Sequence, residues 1–289
     1  MISFAVVLGS NPDYTCCMRF PRNPRAVITG AASGFGRALS ERLAARGARL
    51  LLSDIDTAGL EQTKQLVAPV AREVHTVTCD VSVAQQVRAL SARADDWLGG
   101  TDILVNNAGV AVAGKVGEVS LDDWRWQIDI NLWGVVYGCH YFIPKMVASK
   151  QGWILNVASS AGLIAGPLMA PYNVSKAGVI ALSETLCSEL RDTGVSTTVL
   201  CPTFFQTNIH RNTRTTSAKL NSRVESLVTR SKWTAEAIAD VALRAAERGE
   251  LHVIPQWDGK LLWAAKRLSA KRFHRGFPKV LKVLGLGGG

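Results

Sequence analysis

Short apolar runs alternate with longer stretches of helical periodicity through most of the chain. Seven runs are short enough for strands and rich in aliphatic and β-branched residues. They cover residues 25–29, 49–53, 73–78, 103–105, 153–158, 196–200 and 251–254. Because most of these runs are apolar on both faces, they predict a parallel sheet covered by helices on both sides.

The stretches between the runs carry the spacing of helices, near residues 34–46, 57–69, 83–98, 121–149, 171–192 and 234–248. This alternation predicts an α/β fold with a doubly wound parallel sheet of the Rossmann type and about seven strands. We expect an N-terminal extension over residues 1–24, one main domain over 25–257 and a basic amphipathic helical tail over 258–289. Residues 203–232 are polar and follow neither pattern, so they are expected to form a lid.

The net charge of +10 lies at the ends of the chain. After Asp258 there are eight basic residues and no acidic one, and residues 1–25 hold three arginines against Asp13. Residues 26–258 carry 22 basic and 22 acidic side chains, so the main domain is neutral. A neutral main domain argues against binding to nucleic-acid phosphates, and no nucleic-acid partner is expected.

Signals for metal sites, disulfides and targeting are weak. The six cysteines form no CxxC pair and the five histidines show no ligand spacing, so no metal is expected. Free thiols fit a reducing compartment and favour a cytoplasmic protein. The N-terminus MISFAVVLGS lacks the features of a signal peptide, and residues 1–17 are expected to be dispensable or to precede a true start at Met18.

A glycine-rich turn follows the first predicted strand. Gly30, Gly34 and Gly36 stand between RAVIT and a predicted helix, with Ser33 and Phe35 inside the turn. Without Cβ atoms the backbone can turn sharply and approach a pyrophosphate, whose charge suits a helix N-terminus. The turn therefore predicts a dinucleotide site, and the alternative is an ordinary strand-to-helix turn.

Asp54 ends the second predicted strand, 24 residues after Gly30. A carboxylate in this place accepts hydrogen bonds from ribose hydroxyls and repels a 2′-phosphate. No basic side chain stands at the neighbouring Ser33 or Ile55, so NAD is expected and NADP is less so. The alternative is a strand-end aspartate that caps the next helix.

The spacing GxxxGxG and the motifs after it resemble the single-domain form of the short-chain dehydrogenase/reductase family, over about residues 25–255. The later motifs are DV at 80–81, NNAG at 106–109, Asn131 in DINLWG, Ser159 in VASSAG and YNVSK at 172–176. The resemblance implies that Asp80 and Val81 hold the adenine edge. It also places Asn107, Ala108 and Gly109 beside the cofactor.

Four polar residues match the catalytic positions of that family. Tyr172 and Lys176 are four residues apart on a predicted helix and share a face. A nearby ammonium is expected to lower the pKa of Tyr172, which would act as general acid/base during hydride transfer, and Lys176 would also bind the nicotinamide ribose. Ser159 would polarise the substrate oxygen, with Ser160 as the competing candidate, and Asn131 would hold a water linked to Lys176.

Pro202 and Thr203 follow the predicted strand at 196–200, where the family usually has Pro-Gly. Thr203 adds a side chain where backbone commonly approaches the nicotinamide, which leaves the local loop geometry open. Thr207 matches a position that often bonds the carboxamide. All three residues are assigned to the cofactor site.

The expected substrate wall is apolar. Two sets form it, Leu163, Ile164, Leu168 and Met169 before the tyrosine and Phe204 and Phe205 in the lid. They predict a lipophilic secondary alcohol, ketone or aldehyde, although several could simply pack the core. For a charged group on the substrate, Arg211 and Arg214 in the lid could serve.

The tail has two apolar stripes beside basic residues. They are Phe277, Val280, Leu281 and Leu284, and more weakly Leu261, Ala264, Ala265 and Leu268. Such a segment can lie on an anionic membrane surface, which would make the protein peripheral there. The alternative is a helix that packs on the main domain or on a partner subunit, since family members are commonly dimers or tetramers.

These features predict an oxidoreductase that transfers a hydride between NAD(H) and a lipophilic alcohol or carbonyl compound. The expected partners are that small molecule and further copies of the chain. The alternative is a non-catalytic regulator that senses dinucleotides on the same fold. Such a regulator would be expected to lose Ser159, Tyr172 or Lys176.

Overall fold

The structure is a computed structural model that describes residues 19–209, 213–216, 222, 225–226 and 228–283. Its strands are β1 (Arg25–Thr29), β2 (Arg49–Asp54), β3 (Glu73–Thr78), β4 (Ile103–Asn106), β5 (Ala111–Ala113), β6 (Gly152–Val157), β7 (Val195–Leu200), β8 (Thr213–Thr215) and β9 (His252–Val253). Its helices are α1 (Gly34–Ala44), α2 (Thr57–Val67), α3 (Ala84–Leu98), α4 (Leu121–Ile128), α5 (Gly134–Ala148), α6 (Ser160–Ile164), α7 (Ala170–Glu189), α8 (Ala235–Glu247), α9 (Trp257–Leu268) and α10 (Ala270–Val283). A π-helical segment, Asp129–Trp133, joins α4 to α5.

Seven of the described strands form one parallel sheet in the order β3-β2-β1-β4-β6-β7-β9. The chain first moves outward from β1 to β3 and then returns to place β4 on the other side of β1. Loops that leave β1 and β4 in opposite directions open a crevice at the carboxyl ends of the strands. The predicted doubly wound sheet of the Rossmann type is confirmed.

Alternate residues of each central strand face opposite sides of the sheet. Ala26 and Ile28 of β1 belong to one apolar cluster with α1, α2 and α8. Val27 belongs to a second cluster with α3, α5 and α7. The sheet is therefore covered on both faces, which explains why its strands are apolar throughout.

Part of the predicted lid pairs with the main domain. Strand β8 runs parallel to β5, with Thr213 opposite Ala111. Arg214 donates to Asp123 Oδ1 at 2.9 Å, and its guanidinium lies 3.7 Å from the centroid of the Trp126 ring. Sequence periodicity gave no sign of these strands because three residues carry too few positions for a pattern.

This arrangement corrects the idea that Arg214 could bind a charged substrate group. Its side chain is bound to Asp123 and Trp126, and it does not line the cleft described below. The other candidate, Arg211, lies outside the described residues.

The tail folds back onto the main domain. Lys266 of α9 donates to the Leu163 carbonyl at 2.6 Å, and the Phe277 ring of α10 lies beside Gly166. Of the other residues in its predicted stripe, Val280 and Leu281 are described by their backbone alone and Leu284 lies outside the described residues. Within the described part of the chain, no helix combines the length and apolar character that crossing a bilayer requires.

Truncating a core leucine tests the two-sided burial of the sheet. Leu51 of β2 is 0% exposed and Leu66 of α2 is 55% exposed. We expect Leu51→Ala to lower the free energy of unfolding by about 2–5 kcal/mol, through lost burial and the cavity left behind. We expect Leu66→Ala to change it by less than about 0.5 kcal/mol, as for other exposed positions. Urea denaturation of both variants measures the difference, and equal losses would contradict the description of the core.

Candidate functional site

A cleft of about 1190 Å³ lies at the carboxyl ends of β1, β2, β4, β6 and β7. Sites for one small ligand are usually about 300–1,000 Å³, so this cleft has room for a cofactor and a second molecule. Apart from the two lid arginines discussed above, every residue that the sequence assigned to the site lines this cleft, except Asn131 and Leu163. The topology thus brings together side chains that lie far apart in the sequence.

The glycine turn after β1 is packed without space for side chains. A Cβ on Gly36 would lie 2.0 Å from the Gly30 carbonyl oxygen, and one on Gly30 would lie 2.8 Å from Ala108 Cα. The Asn107 amide donates to the carbonyls of Thr29 at 2.9 Å and Gly30 at 3.1 Å. The turn is therefore locked against β4, with bare backbone facing the cleft at the start of α1.

The Asp54 carboxylate is fixed at one end of the cleft. Its Oδ2 accepts from the Ala32 amide at 3.0 Å, and its Oδ1 accepts from the Asp56 amide at 3.1 Å. Helix α2 is capped by Asp56, whose Oδ1 accepts from the Gly59 amide at 2.9 Å. The alternative role considered for Asp54, capping of the next helix, is therefore filled by Asp56. Asp54 keeps free lone pairs toward the cleft, because a carboxylate accepts about four hydrogen bonds.

Positive charge is scarce along the described lining of the cleft. Its only lysines or arginines there are Lys115 and Lys176. Lys176 lies beside β6, and Lys115, which follows β5, pairs with Glu118 at 3.0 Å. No cation of the described lining stands beside Asp54.

Two further segments complete the dinucleotide end. Asp80 lines the cleft after β3, and its Oδ1 accepts from the Ser82 amide and hydroxyl at 2.9 and 2.6 Å. Val81 packs closely against Gly134 at the start of α5, where a Cβ would lie 2.9 Å from Val81 Cγ2. Helix α5 therefore fixes the position of the loop after β3. Ala108 and Gly109 line the opposite wall next to the glycine turn.

At the other end of the cleft, Ser159 and Tyr172 are joined by a hydrogen bond between their side chains. Ser159 also caps α6, where its Oγ accepts from the Ala161 amide at 3.1 Å. This cap fixes the Ser159 hydroxyl at the end of β6, on the side of the cleft where Tyr172 lies.

Lys176 lies one helical turn after Tyr172 and is 3% exposed. Its ammonium donates to the Val157 carbonyl at 2.8 Å and lies 5.7 Å from the centroid of the Tyr172 ring. Burial lowers the pKa of Lys176 to about 8, because the charged form loses its hydration. Near neutral pH the residue can therefore both hold and release a proton.

Burial also raises the pKa of Tyr172 to about 12, and the hydrogen bond from Ser159 offsets only part of the rise. The expectation that Lys176 lowers this pKa was wrong for this arrangement. The ammonium is directed at the Val157 carbonyl, and desolvation of the phenolate dominates. Tyr172 is accordingly protonated at neutral pH.

Asn131 lies in the π-helical segment, fully buried and outside the cleft. Its Oδ1 accepts from the Val110 amide at 2.8 Å, and its Nδ2 donates to the Val110 carbonyl at 2.9 Å and to Ser175 Oγ at 3.4 Å. Both donor hydrogens are thus used, which does not support the prediction that this side chain holds a water. In this structure the side chain braces the Gly109–Val110 turn beside Lys176.

The loop after β7 is turned toward the tail. Thr203 Oγ1 donates to Asp258 Oδ1 at 3.2 Å, so its side chain leaves the backbone of the loop open to the cleft. Thr207 lies near the glycine turn, since a Cβ on Gly34 would be 3.2 Å from its Oγ1. The Phe205 ring packs edge-on against Phe35 at 5.3 Å, which places it at the cofactor end and not at the substrate end.

The substrate end differs from the prediction in part. Leu163 packs against the second core cluster and offers its carbonyl to Lys266, whereas its neighbour Ile164 lines the cleft. Leu168, Met169 and Phe204 line it as expected. Within the described lid and tail, sequence reasoning missed four apolar lining residues, namely Ile209, Val228, Leu262 and Phe277. Phe277 belongs to a predicted tail stripe, for which packing on the main domain was the alternative interpretation, whereas Leu262 belongs to neither stripe.

The loop between α6 and α7 is strained beside the site. Ala165 and Leu168 have φ values of +55° and +65°, which cost non-glycine residues about 1–2 kcal/mol each. Asn173 Nδ2 donates to the Gly166 carbonyl at 2.6 Å, and the Gly114 amide donates to the Leu168 carbonyl at 2.8 Å. These bonds hold the loop that carries the apolar wall.

Comparison with known proteins gives a consistent result. The family model for short chain dehydrogenases matches residues 24–218. A CLA biosynthesis dehydrogenase/reductase of Lactiplantibacillus plantarum is 38% identical over 63% of this chain and 65% of its own length. The oxidoreductase SadH of Mycobacterium tuberculosis is 31% identical over 86% of this chain and 92% of its own. The short chain dehydrogenase/reductase of Burkholderia phymatum, solved in complex with NAD, superposes with a TM-score of 0.82 at 32% identity, covering 88% and 95% of the two chains.

The buried ammonium of Lys176 predicts how stability depends on pH. Its pKa falls from 10.5 in the unfolded chain to about 8 in the folded one, so between these values the unfolded state binds more protons. The free energy of unfolding should therefore rise with pH across this window, by up to about 1.4 kcal/mol per unit. Below pH 8 this contribution is constant.

We expect Lys176→Met to remove that rise between pH 8 and 10 while leaving the rest of the pH profile in place. Urea denaturation at four or five pH values measures it for both proteins. An unchanged slope in the variant would show that Lys176 keeps an ordinary pKa in the folded protein.

Proposed function

The chain belongs to the short-chain dehydrogenase/reductase family, and from this premise we propose that it transfers a hydride between NAD(H) and a lipophilic alcohol or carbonyl compound. Membership makes it an oxidoreductase that acts on small molecules. The proposal rests on one observation above all. Ser159, Tyr172 and Lys176 come together at one end of a cleft whose other end is a bare glycine turn.

The residues of the cleft fit a nicotinamide dinucleotide. Gly30 and Gly36 leave backbone uncovered at the N-terminus of α1, where a pyrophosphate would be held. The fixed Asp54 carboxylate would take the adenosine ribose hydroxyls and would repel a 2′-phosphate, which supports NAD over NADP. When bound, the nicotinamide supplies or accepts the hydride.

The side chains would manage the proton. Tyr172 is protonated at neutral pH and can donate to the oxygen of a carbonyl substrate, which is the form that reduction requires. Ser159, bonded to the phenol, is placed to polarise the same oxygen. Lys176, with a pKa near 8, holds a proton close by that can replace the one given up. In the oxidative direction Tyr172 would accept the alcohol proton only as its own phenolic proton leaves, and neutral Lys176, which is present above pH 8, would be the acceptor of that proton.

The chemistry of the substrate follows from the wall of the cleft. Ile164, Leu168, Met169 and Phe204 surround the end at which Tyr172 stands. Burying apolar area there contributes about 25 cal/mol per Å², so a lipophilic alcohol or ketone is favoured over a small polar one. The alternative of a non-catalytic regulator is not favoured, because none of Ser159, Tyr172 and Lys176 is lost.

Further proposals concern partners and location. Members of the family usually form oligomers, and a homodimer or homotetramer would cover exposed apolar residues such as Trp133 and Val174. Trp257, Leu261 and Leu268 of α9 are 73%, 60% and 89% exposed and form an outer stripe beside Lys260, Arg267 and Lys271. Such a stripe fits an anionic membrane surface, in a protein that we place in the cytoplasm.

Replacing the proton donor tests the proposed chemistry. We expect Tyr172→Phe to lower kcat for ketone reduction with NADH by at least about a hundredfold, because the transferred proton has no donor. NADH binding, followed by fluorescence, should stay within about threefold of the parent, since the ring remains in place. Turnover near the parent rate would overturn the role of Tyr172.

The cofactor preference depends on Asp54. We expect kcat/KM with NADH to exceed that with NADPH by at least about tenfold, because the carboxylate repels the 2′-phosphate. Asp54→Ser should reduce this ratio by about tenfold or more, mainly by weakening NADH, since one or two charge-assisted hydrogen bonds are lost. A parent protein that prefers NADPH would contradict the assignment.

The membrane proposal is tested with vesicles. We expect the protein to sediment with phosphatidylglycerol vesicles and not with phosphatidylcholine vesicles, with binding that weakens as salt is raised. Replacing Trp257, Leu261 and Leu268 together by alanine should abolish sedimentation, while Leu66→Ala on α2 serves as the matched exposed control. Equal binding by the triple variant and the parent protein would show that the outer stripe does not bind the membrane.

A further inference from the structure

The loop that follows β7 is joined to the start of the tail by three hydrogen bonds. Thr203 donates through Oγ1 to Asp258 at 3.2 Å and through its amide to Gln256 Oε1 at 3.0 Å. Gln256 Nε2 returns a bond to the Phe204 carbonyl at 3.4 Å. Gln256 is buried, so the two bonds that it makes are partly shielded from solvent. The cofactor loop and α9 are therefore held as one unit.

The first turn of α9 is shaped for this contact. A Cβ on Gly259 would lie 2.9 Å from Thr203 Cγ2, so only glycine lets the helix approach the threonine this closely. Asp258 also accepts from the Gly259 amide at 2.8 Å, and its charge suits the N-terminus of a helix. Thr203 stands where the family usually has glycine. In this chain its hydroxyl bonds to Asp258, and Gly259 leaves room for its methyl group.

The inner face of α9 continues from this anchor into the cleft. Leu262 lies four residues after Asp258 and lines the cleft, and four residues later Lys266 donates to the Leu163 carbonyl at 2.6 Å. Residues at this spacing share one face of a helix. The neighbouring Leu261 is 60% exposed and does not line the cleft.

Helix α10 then returns across the mouth. Phe277 lines the cleft, stacks on Phe273 with ring centroids 4.8 Å apart, and would meet a Cβ on Gly166 at 3.6 Å. The strained loop that carries Leu168 is thereby faced by an aromatic ring from the tail.

We propose that α9 and α10 form the far wall of the substrate cleft, where Leu262 and Phe277 limit the bulk of the apolar group that the substrate carries beyond its reacting carbon. Thr203 is a positioning residue that fixes this wall to the cofactor loop through Asp258. This proposal rests on the proposed function, because selection between substrates of different size presupposes that the protein reduces ketones. The wall itself can be tested without turnover.

Two neighbouring tryptophan substitutions test the wall. The probes are cyclohexanone, 2-decalone and a steroid ketone, reduced with NADH. We expect Leu262→Trp to lower kcat/KM for the steroid ketone by at least about tenfold relative to cyclohexanone. The indole ring of the introduced tryptophan would occupy the space that the larger substrate needs. Leu261→Trp, one residue away on the exposed side, should leave the ratio within about twofold.

Binding of 1-anilinonaphthalene-8-sulfonate, which fluoresces in apolar cavities, provides the readout without turnover. We expect Leu262→Trp to weaken its binding at least about fivefold and Leu261→Trp to leave it within about twofold. If the binding differs as expected but no ketone is reduced by any variant, the proposed function fails and the wall stands. If both variants behave alike in binding and in the size ratio, the wall is wrong.

The anchor is tested by hydrogen exchange over residues 257–268. Thr203→Val removes the hydroxyl and keeps the shape, so amides in the first two turns of α9 should exchange at least about tenfold faster. Thr203→Ser keeps the hydroxyl and should restore exchange, and the ratio of kcat/KM between the ketones, to within about twofold of the parent. Unchanged exchange in Thr203→Val would overturn the role of Thr203.

Discussion

The close packing of the glycine turn against the end of β4 is the constraint on which the site depends. A single methyl group at Gly36 would collide with the Gly30 carbonyl and would lie 2.7 Å from Asn107 Nδ2, which donates to that carbonyl. The turn, the start of α1 and β4 are therefore fixed relative to one another. Strands β2 and β6 pair with β1 and β4, so the same contact sets the distance between Asp54 and Ser159. A cleft for a long, two-ended cofactor follows from the topology and this contact together.

At the end of the cleft that holds Tyr172 and Lys176, burial shifts the pKa values more than the closeness of the two side chains does. Lys176 and Tyr172 share a helix face, yet their pKa values move toward the neutral forms, to about 8 and about 12. Both shifts come first from desolvation. In the proposed reaction the tyrosine would therefore be the proton donor, and the lysine, with its pKa of about 8, would exchange protons. The tail adds the third component, because α9 and α10 complete the apolar end of the cleft.

The sheet, its main helices and the glycine turn were predictable from the sequence, because strands buried on both faces and a glycine turn leave strong local signals. Asp80, Asn107 and Thr207 carry no such signal and were assigned only through the resemblance to the family. The contribution of Phe277 was not predictable, since an amphipathic stripe does not say which surface it meets, and Leu262 lies outside the predicted stripes. Leu163 was assigned to the wall together with Ile164, although only Ile164 lines the cleft, because a five-residue helix has no readable face. The direction of the Tyr172 pKa shift was missed because spacing reveals a neighbouring charge but not the depth of burial.

The most direct test of this account is the affinity for NADH of Gly36→Ala beside Gly117→Ala, where a Cβ would meet nothing within 4 Å. We expect Gly36→Ala to weaken NADH binding at least about tenfold, because the turn must open to admit the methyl group. Gly117→Ala should bind NADH like the parent, and thermal unfolding shows that both variants fold. NADH affinity in Gly36→Ala equal to that of the parent would contradict the claim that this bare backbone holds the dinucleotide.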